Sequence, residues 1–274
     1  DKDALLYSTK EIINLGFRHV ELLLDVGSKD DGVLRPQVIE QLVDLKNKYS
    51  ISYSAHLPYK YVDIGSLNET IRQTSVKLIL QAIEIADIIG IDKLVLHPVG
   101  AESKPFDLSF YPANADIKSK IIHEMVDQIR KSLTALVEKI DPRRLCLENL
   151  PYIDFAPFTP LLHEFDLGVC IDIGHCILRN DDPIDFINRF ADRLGVIHLH
   201  DVADFRSVKG IMKYLDHEPL GTGIVAIPSI LRLLQDIGFS GCVVLEHLEE
   251  KKALQSIKYL KHYFNQESVK KYEF

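Results

Sequence analysis

The chain has 274 residues, 46% of them hydrophobic, and a formal net charge of −8. That length is close to the ~250 residues of a single (β/α)8 barrel, and no run of ~18 or more apolar residues marks a membrane-spanning helix. The acidic balance, with no cluster of five or more lysines and arginines, weighs against nucleic acid as a partner, because neutralising phosphates supplies much of that affinity. No basic and apolar signal peptide opens the sequence. Of the four cysteines, Cys146, Cys170 and Cys242 fall inside apolar runs and read as small hydrophobes, and Cys176 reads as a packing residue. A reducing, cytoplasmic setting without disulfides is the expectation.

In chain order, the first pattern is a helix over 3–15, with Leu5, Ile12 and Leu15 on one face and Gly16 as its stop. The run His-Val-Glu-Leu-Leu-Leu (19–24) then predicts a strand ending at Asp25. A helix over 36–49 opens on Pro36, whose missing amide proton costs nothing there. The run Ser-Tyr-Ser-Ala-His (52–56) is the second strand, 69–89 a long amphipathic helix ended by Gly90, and Lys-Leu-Val-Leu-His (93–97) the third strand. After it, residues 100–116 form a long aromatic loop, whose Phe106, Phe110 and Tyr111 are expected to act as a lid.

The alternation continues with a helix over 116–139 and the strands Arg-Leu-Cys-Leu-Glu (144–148) and Gly-Val-Cys-Ile-Asp (168–172). A helix over 183–193, the strand Gly-Val-Ile-His-Leu-His (195–200), a helix over 226–237, the strand Cys-Val-Val-Leu-Glu (242–246) and a helix over 248–263 complete it. Strand and helix alternating at this pitch give a parallel sheet. The expected fold is an α/β (β/α)8 TIM barrel forming a single domain over 1–274. Seven strands are visible, so either an eighth is expected upstream of Asp1 or the barrel is closed by seven.

Each of the seven runs ends in or beside an acid or an imidazole. In a parallel barrel the carboxyl ends of the strands converge on one mouth, so these side chains can meet at metal-bonding distance. Neutral imidazoles and carboxylates are ligands for zinc and manganese. In Cys-Ile-Asp-Ile-Gly-His, Asp172 ends a strand and His175 follows in a loop. In His-Leu-His-Asp, His198 and His200 share one strand face, and Asp201 starts a loop. His200 reads as a ligand, a substrate contact or a hydrogen-bond partner. Glu21 reads as a pocket-lining or an ion-paired residue, and Arg206, Lys209 and Lys213 as substrate-phosphate contacts or a solvated loop. Gly221 and Gly223 permit a tight backbone path after His217.

Seven segments in this order resemble the xylose isomerase-like barrel superfamily, which includes the AP endonuclease family 2 (endonuclease IV) proteins and many sugar isomerases and epimerases. They are Ser-Ala-His-Leu-Pro-Tyr, Leu-Val-Leu-His-Pro, Leu-Glu-Asn-Leu, Cys-Ile-Asp-Ile-Gly-His, Ile-His-Leu-His-Asp, Asp-His-Glu-Pro-Leu-Gly-Thr-Gly and Val-Leu-Glu-His. The resemblance implies a metal position at His56, His97 and bridging Glu148, a second at Glu148, Asp172, His198 and Glu246, and a third at His175 and His217. The endonuclease pattern has an aspartate two residues before the last histidine. Here that position is Leu215, with Asp216 one residue out of register, so two divalent ions, zinc or manganese, are the central expectation, with one or three as alternatives.

The resemblance leaves two activities open. The first is a divalent-metal-dependent hydrolase of a phosphodiester or phosphoester in a small molecule, with metal-activated water as nucleophile. Several segments are also similar to cobamide-remodelling phosphodiesterases, which act on the nucleotide loop of corrinoid cofactors. The second is a metal-dependent sugar or sugar-phosphate isomerase or epimerase, with Glu148 and Glu246 as the acid/base pair. Both imply a phosphorylated or carbohydrate-like small-molecule substrate and no membrane partner.

Overall fold

The computed structural model describes residues 4–25, 35–100, 115–204, 214–247 and 249–266. The lid residues Phe106, Phe110 and Tyr111 and the cations Arg206, Lys209 and Lys213 lie outside the described residues. The chain divides into two compact units. The first runs through Glu148 and resumes over Tyr152–Val169, and the second comprises Asn149–Pro151 and the chain from Cys170 onward.

In the first unit, helix α1 (Ala4–Asn14) precedes strand β1 (His19–Leu23). Its buried face is Leu6, Thr9 and Ile13 rather than the expected Leu5, Ile12 and Leu15. Thr9 can face inward because its hydroxyl donates to the Leu5 carbonyl at 2.8 Å, which satisfies the polar group within its own helix. Helix α2 (Pro36–Tyr49) buries Val38, Ile39, Leu42 and Leu45, a stripe at helical spacing. Each such side chain stabilises the fold by roughly 1.5–3 kcal/mol when fully buried. Helix α3 (Glu69–Ile89) follows strand β2 (Ser52–His56) and starts at Asn68, whose side chain accepts from the Thr70 and Ile71 amides. It stops at Gly90, which adopts φ 75°, a left-handed conformation that glycine takes without strain. Strand β3 (Lys93–Leu96), helix α4 (Ala115–Val137), strand β4 (Leu145–Glu148) and the short helix α5 (Thr159–Glu164) follow in this unit.

Parallel strands covered on both faces read as continuous apolar runs, and β4 is buried at every position. Registers here place the functional side chains. Leu23 pairs with His56, His56 with Val95, and Leu96 with Leu147. One residue further, His97 and Glu148 therefore leave their strands at the same level.

Strand β5 (Gly168–Asp172) leads into the second unit, where helix α6 (Ile173–Arg179) begins directly at the strand end. His175 thus sits in the first turn of a helix, not in the expected loop. Helix α7 (Pro183–Phe190) and strand β6 (Leu194–Leu199) follow. Asp201 does not start a loop either. It opens strand β7 (Asp201–Asp204), which pairs antiparallel with strand β8 (Tyr214–Glu218). Helix α8 (Ile227–Asp236), strand β9 (Cys242–Leu245) and helix α9 (Glu250–Gln266) end the described chain. One parallel sheet takes its strands in the order β1-β2-β3-β4-β5-β6-β9, and β7 and β8 form a separate sheet. Among the described residues no helix is long and apolar enough to cross a membrane.

Tyr53 ties a strand to a helix: its hydroxyl donates to the Leu42 carbonyl at 3.1 Å, and burial pushes the phenol up to about 12. An acid whose folded pKa lies above its unfolded value near 10 keeps its stabilising contribution below pH 10 and loses it as pH rises towards 12. Urea denaturation between pH 9 and 12 should therefore show a steeper stability loss for the wild type than for Tyr53→Phe. Identical slopes would show that Tyr53 does not titrate with unfolding.

Candidate metal centre

In the first unit, His56 ends β2, His97 follows β3 and Glu148 ends β4. The Glu148 side chain is almost wholly buried, and its Oε2 lies 3.3 Å from His56 Nε2 and 2.9 Å from His97 Nε2. The two rings meet edge to face at 4.8 Å, and Tyr59 packs against them at 4.9 and 5.0 Å. His56 Nδ1 lies 2.9 Å from the Leu57 carbonyl. A carbonyl can only accept, so Nδ1 carries the proton and a neutral ring turns its Nε2 lone pair towards the carboxylate. Two acceptors face to face repel unless a proton or a cation lies between them. Two imidazoles and one carboxylate with mutually adjacent donor atoms are a donor set that fits a divalent ion.

Glu21 is held otherwise. Its Oε2 accepts from the Ser54 hydroxyl at 2.7 Å, and that hydroxyl is 2.9 Å from His19 Nε2. Burial lowers the His19 pKa, against the pull of Glu21. Of the two readings for Glu21, the observed contact is thus a hydrogen-bonded one.

In the second unit, Asp172 is fully buried. Its side chain caps α6 by accepting from the His175 amide at 2.7 Å, and both its oxygens lie 3.1 Å from His200 Nε2. His198 Nδ1 is 3.0 Å from Glu246 Oε2 and 3.9 Å from Asp172 Oδ2. The β6–β9 register pairs Leu199 with Leu245, which brings Glu246 off its strand beside the His198–His200 segment. His200 and His217 stack at 4.3 Å, and together with Glu246 they form a second donor set that fits an ion. Gly174 is required here, because a Cβ on it would collide with the His200 ring.

Burial pushes the His200 imidazole down, but Asp172, Asp216 and Glu246 outweigh it and raise its pKa to about 9. His217 is raised as well: burial lowers it, and its hydrogen bond to Glu246 together with the charges of Glu246 and Asp216 outweighs that. A bound cation would oppose both shifts, since it replaces the proton as the partner of the same carboxylates.

The expected residues are thus distributed as follows. His56, His97 and Glu148 come together in the first unit. Asp172, His198 and Glu246 come together in the second, with His217 beside Glu246 at 3.6 Å. His175 and His217 meet edge to face with ring centroids 6.4 Å apart, and His175 Nε2 lies 4.0 Å from Asp216 Oδ2. Asp216, which strand alternation sets out of register, also reaches His200 Nδ1 at 3.3 Å and His217 Nδ1 at 3.4 Å. The β7–β8 register shifts between Asp201 and Ala203, and His217 adopts φ 54°. An irregularity of that kind re-aims side chains that strict alternation would send to the other face.

Three further residues were not legible as parts of this centre. Asn149 holds Asp172 and His175, as described below. His247 packs behind His217, its Nδ1 3.4 Å from the His217 carbonyl and its Nε2 2.7 Å from Ser256 Oγ. Asp201 organises the loop after β8. Its Oδ1 accepts from the Val202 and Val225 amides and its Oδ2 from the Gly221 and Gly223 amides, all at 2.8–3.0 Å. The Gly-Thr-Gly spacing was the available signal for that tight path.

The family model for xylose isomerase-like TIM barrels matches residues 10–263, and the chain belongs to that family. Its fold is accordingly the α/β TIM barrel. An uncharacterized protein of Methanocaldococcus jannaschii is 26% identical over 242 residues, 84% of this chain and 76% of that protein. Among solved structures, a D-tagatose 3-epimerase-like protein is similar with a TM-score of 0.75 and 21% identity, covering 98% of this chain and 97% of its own. Endonuclease IV from Thermus thermophilus is similar with a TM-score of 0.65 and 18% identity, covering 96% and 94%. At these identities the structural likenesses establish the fold alone, and the structural neighbours include both a sugar epimerase-like protein and a nuclease.

Two substitutions test the second unit. Asp201→Asn turns one oxygen into an amino group facing two amide donors, so it should destabilise the protein by roughly 2–3 kcal/mol in urea denaturation. Gly174→Ala should displace the His200 ring and cost about 1–3 kcal/mol. Wild-type stability for either would contradict the packing described.

Proposed function

We propose that the protein is a divalent-metal-dependent hydrolase of a phosphodiester or phosphoester in a small-molecule substrate. The observation that carries this reading is the set His56, His97 and Glu148, with both imidazoles at the carboxylate within 3.3 Å. The competing isomerase chemistry uses neither histidine. Zinc or manganese, two ions by this reading, would supply Lewis acidity towards the phosphoryl oxygens and lower the pKa of a water.

The residues have separate tasks. His56 and His97 bind one ion together with Glu148. Asp172, His198 and Glu246 would hold another. His175 and His217 would be further ligands beside the second group, and Asp216 lies against both rings. A net charge of −8 favours a small phosphorylated molecule over DNA, although a nuclease is among the structural neighbours.

A specific observation favours the alternative, a metal-dependent sugar or sugar-phosphate isomerase or epimerase. The Glu246 side chain is 30% exposed while touching His198, so it is both a donor to the centre and open to solvent, as an acid/base group must be. In that reading Glu148 is its partner in proton transfer and one ion suffices.

Elemental analysis of protein purified without added metal should give two ions per chain, and His97→Ala should remove one. The same variant should lower hydrolysis of a nitrophenyl phosphodiester, and of a cobamide carrying its nucleotide loop if that is the substrate, by at least ~100-fold, the scale of a lost charge-stabilising group. One ion per chain, no phosphoester hydrolysis, and ketose epimerisation abolished by Glu246→Gln would establish the alternative instead.

A further inference from the structure

Strand β4 stops at Glu148, and the chain turns away at Leu150 and Pro151. Beyond the end of that strand, Asn149 meets the backbone of Asp172 with its side chain. Its Nδ2 donates to the Asp172 carbonyl at 3.0 Å, and its Oδ1 accepts from the Asp172 amide at 2.8 Å. A primary amide has the donor and acceptor pattern of a peptide group, so the Asn149 side chain stands in for a neighbouring strand residue after the main chain has left. Asn149 is itself buried, at 4% exposure, and its Nδ2 also lies 3.4 Å from Cys176 Sγ.

The main chain of the same residue acts on His175. The Asn149 carbonyl lies 2.9 Å from His175 Nδ1. Because that oxygen only accepts, Nδ1 must carry the proton, and in the neutral ring the lone pair is on Nε2. Nε2 is the atom directed towards Asp216. Asp172 and His175 are further joined by the cap bond from the His175 amide to Asp172 Oδ1.

We propose that Asn149 is a positioning residue for the metal centre, its amide locking the backbone of Asp172 and its carbonyl selecting the His175 tautomer that presents Nε2 to an ion. The inference rests on Asp172 and His175 being ligands, as proposed above. It gives Asn149 the part that outer partners of ligating groups take, fixing ring orientation and tautomer. Only asparagine meets the geometry. Aspartate loses the donor and brings a charge against the Asp172 carbonyl, alanine loses both bonds, and glutamine is one methylene too long.

The test compares the full-length wild type with Asn149→Ala, Asn149→Asp and, as a control, Cys176→Ala, all checked for folding by circular dichroism. Calorimetric titration with Zn2+ should show one class of site weakened by ~10–100-fold in both Asn149 variants, the His56/His97 class unchanged, and Cys176→Ala indistinguishable from the wild type. A purely structural role would lower Tm and leave the affinity of the folded variants intact, which would overturn the proposal. A second measurement needs neither variant nor ion: nitrogen NMR of histidine-labelled wild type should find His175 protonated on Nδ1, and protonation on Nε2 would overturn it. If Asp172→Ala titrates like the wild type, the ligand reading fails and the claim about ion affinity fails with it, while the NMR result still decides whether Asn149 sets the ring.

Discussion

Burying the carboxylate of Asp172 is the constraint on which the second unit depends. An ionised carboxylate removed from water is destabilising by several kcal/mol unless donors or cations meet it. Here the demand is distributed among an amide from the first turn of α6 and the imidazole of His200. Each of these partners then has its own requirement. The helix can begin beside the acid only because residue 174 is a glycine, and His200 is charged more readily because carboxylates surround it. The identity of a residue outside the centre thus follows from the charge inside it.

The first unit solves the same problem differently. Glu148 is as inaccessible as Asp172, but the groups at its Oε2 are two imidazoles rather than a helix amide. One of those rings is fixed in a tautomer that offers a lone pair to an anion. That is an unfavourable pairing for a neutral ring and a favourable one around a cation. A proton or a divalent ion between the rings and the carboxylate reconciles the burial with the tautomer, and the donor set fits the ion.

Catalytic range in this family follows from how such sets are combined. In the proposed readings the acid and imidazole core, Asp172, His198 and Glu246, would serve either proton transfer or phosphoester hydrolysis. In the hydrolase reading proposed above, the added pair His56 and His97 would change what the same scaffold stabilises, because a second cation would neutralise charge that developing phosphoryl oxygens carry. Function here depends on a few side chains added to strand ends, and not on the fold, which nucleases and sugar enzymes share.

The sequence by itself determined the alternation of strands and helices, the bounds of α2 and α3 and the acids and imidazoles at the strand ends. It could do so because hydrophobic period, caps and glycine stops are local signals, and because a parallel strand carries its last residue to one end of the sheet wherever it lies. What only the tertiary structure decided depends on contacts between distant segments. Asp216 looked out of register by strict alternation, yet a shifted β7–β8 pairing and a left-handed His217 bring it among three imidazoles. Asn149 read as the residue after a glutamate, and its amide matters only because the backbone of Asp172 comes within its reach. Thr9 faces the core of α1 because a backbone carbonyl four residues earlier satisfies its hydroxyl. Periodicity reports which face a residue takes in a regular element; it carries no information about where two elements deviate from regularity to meet each other's hydrogen-bonding demands.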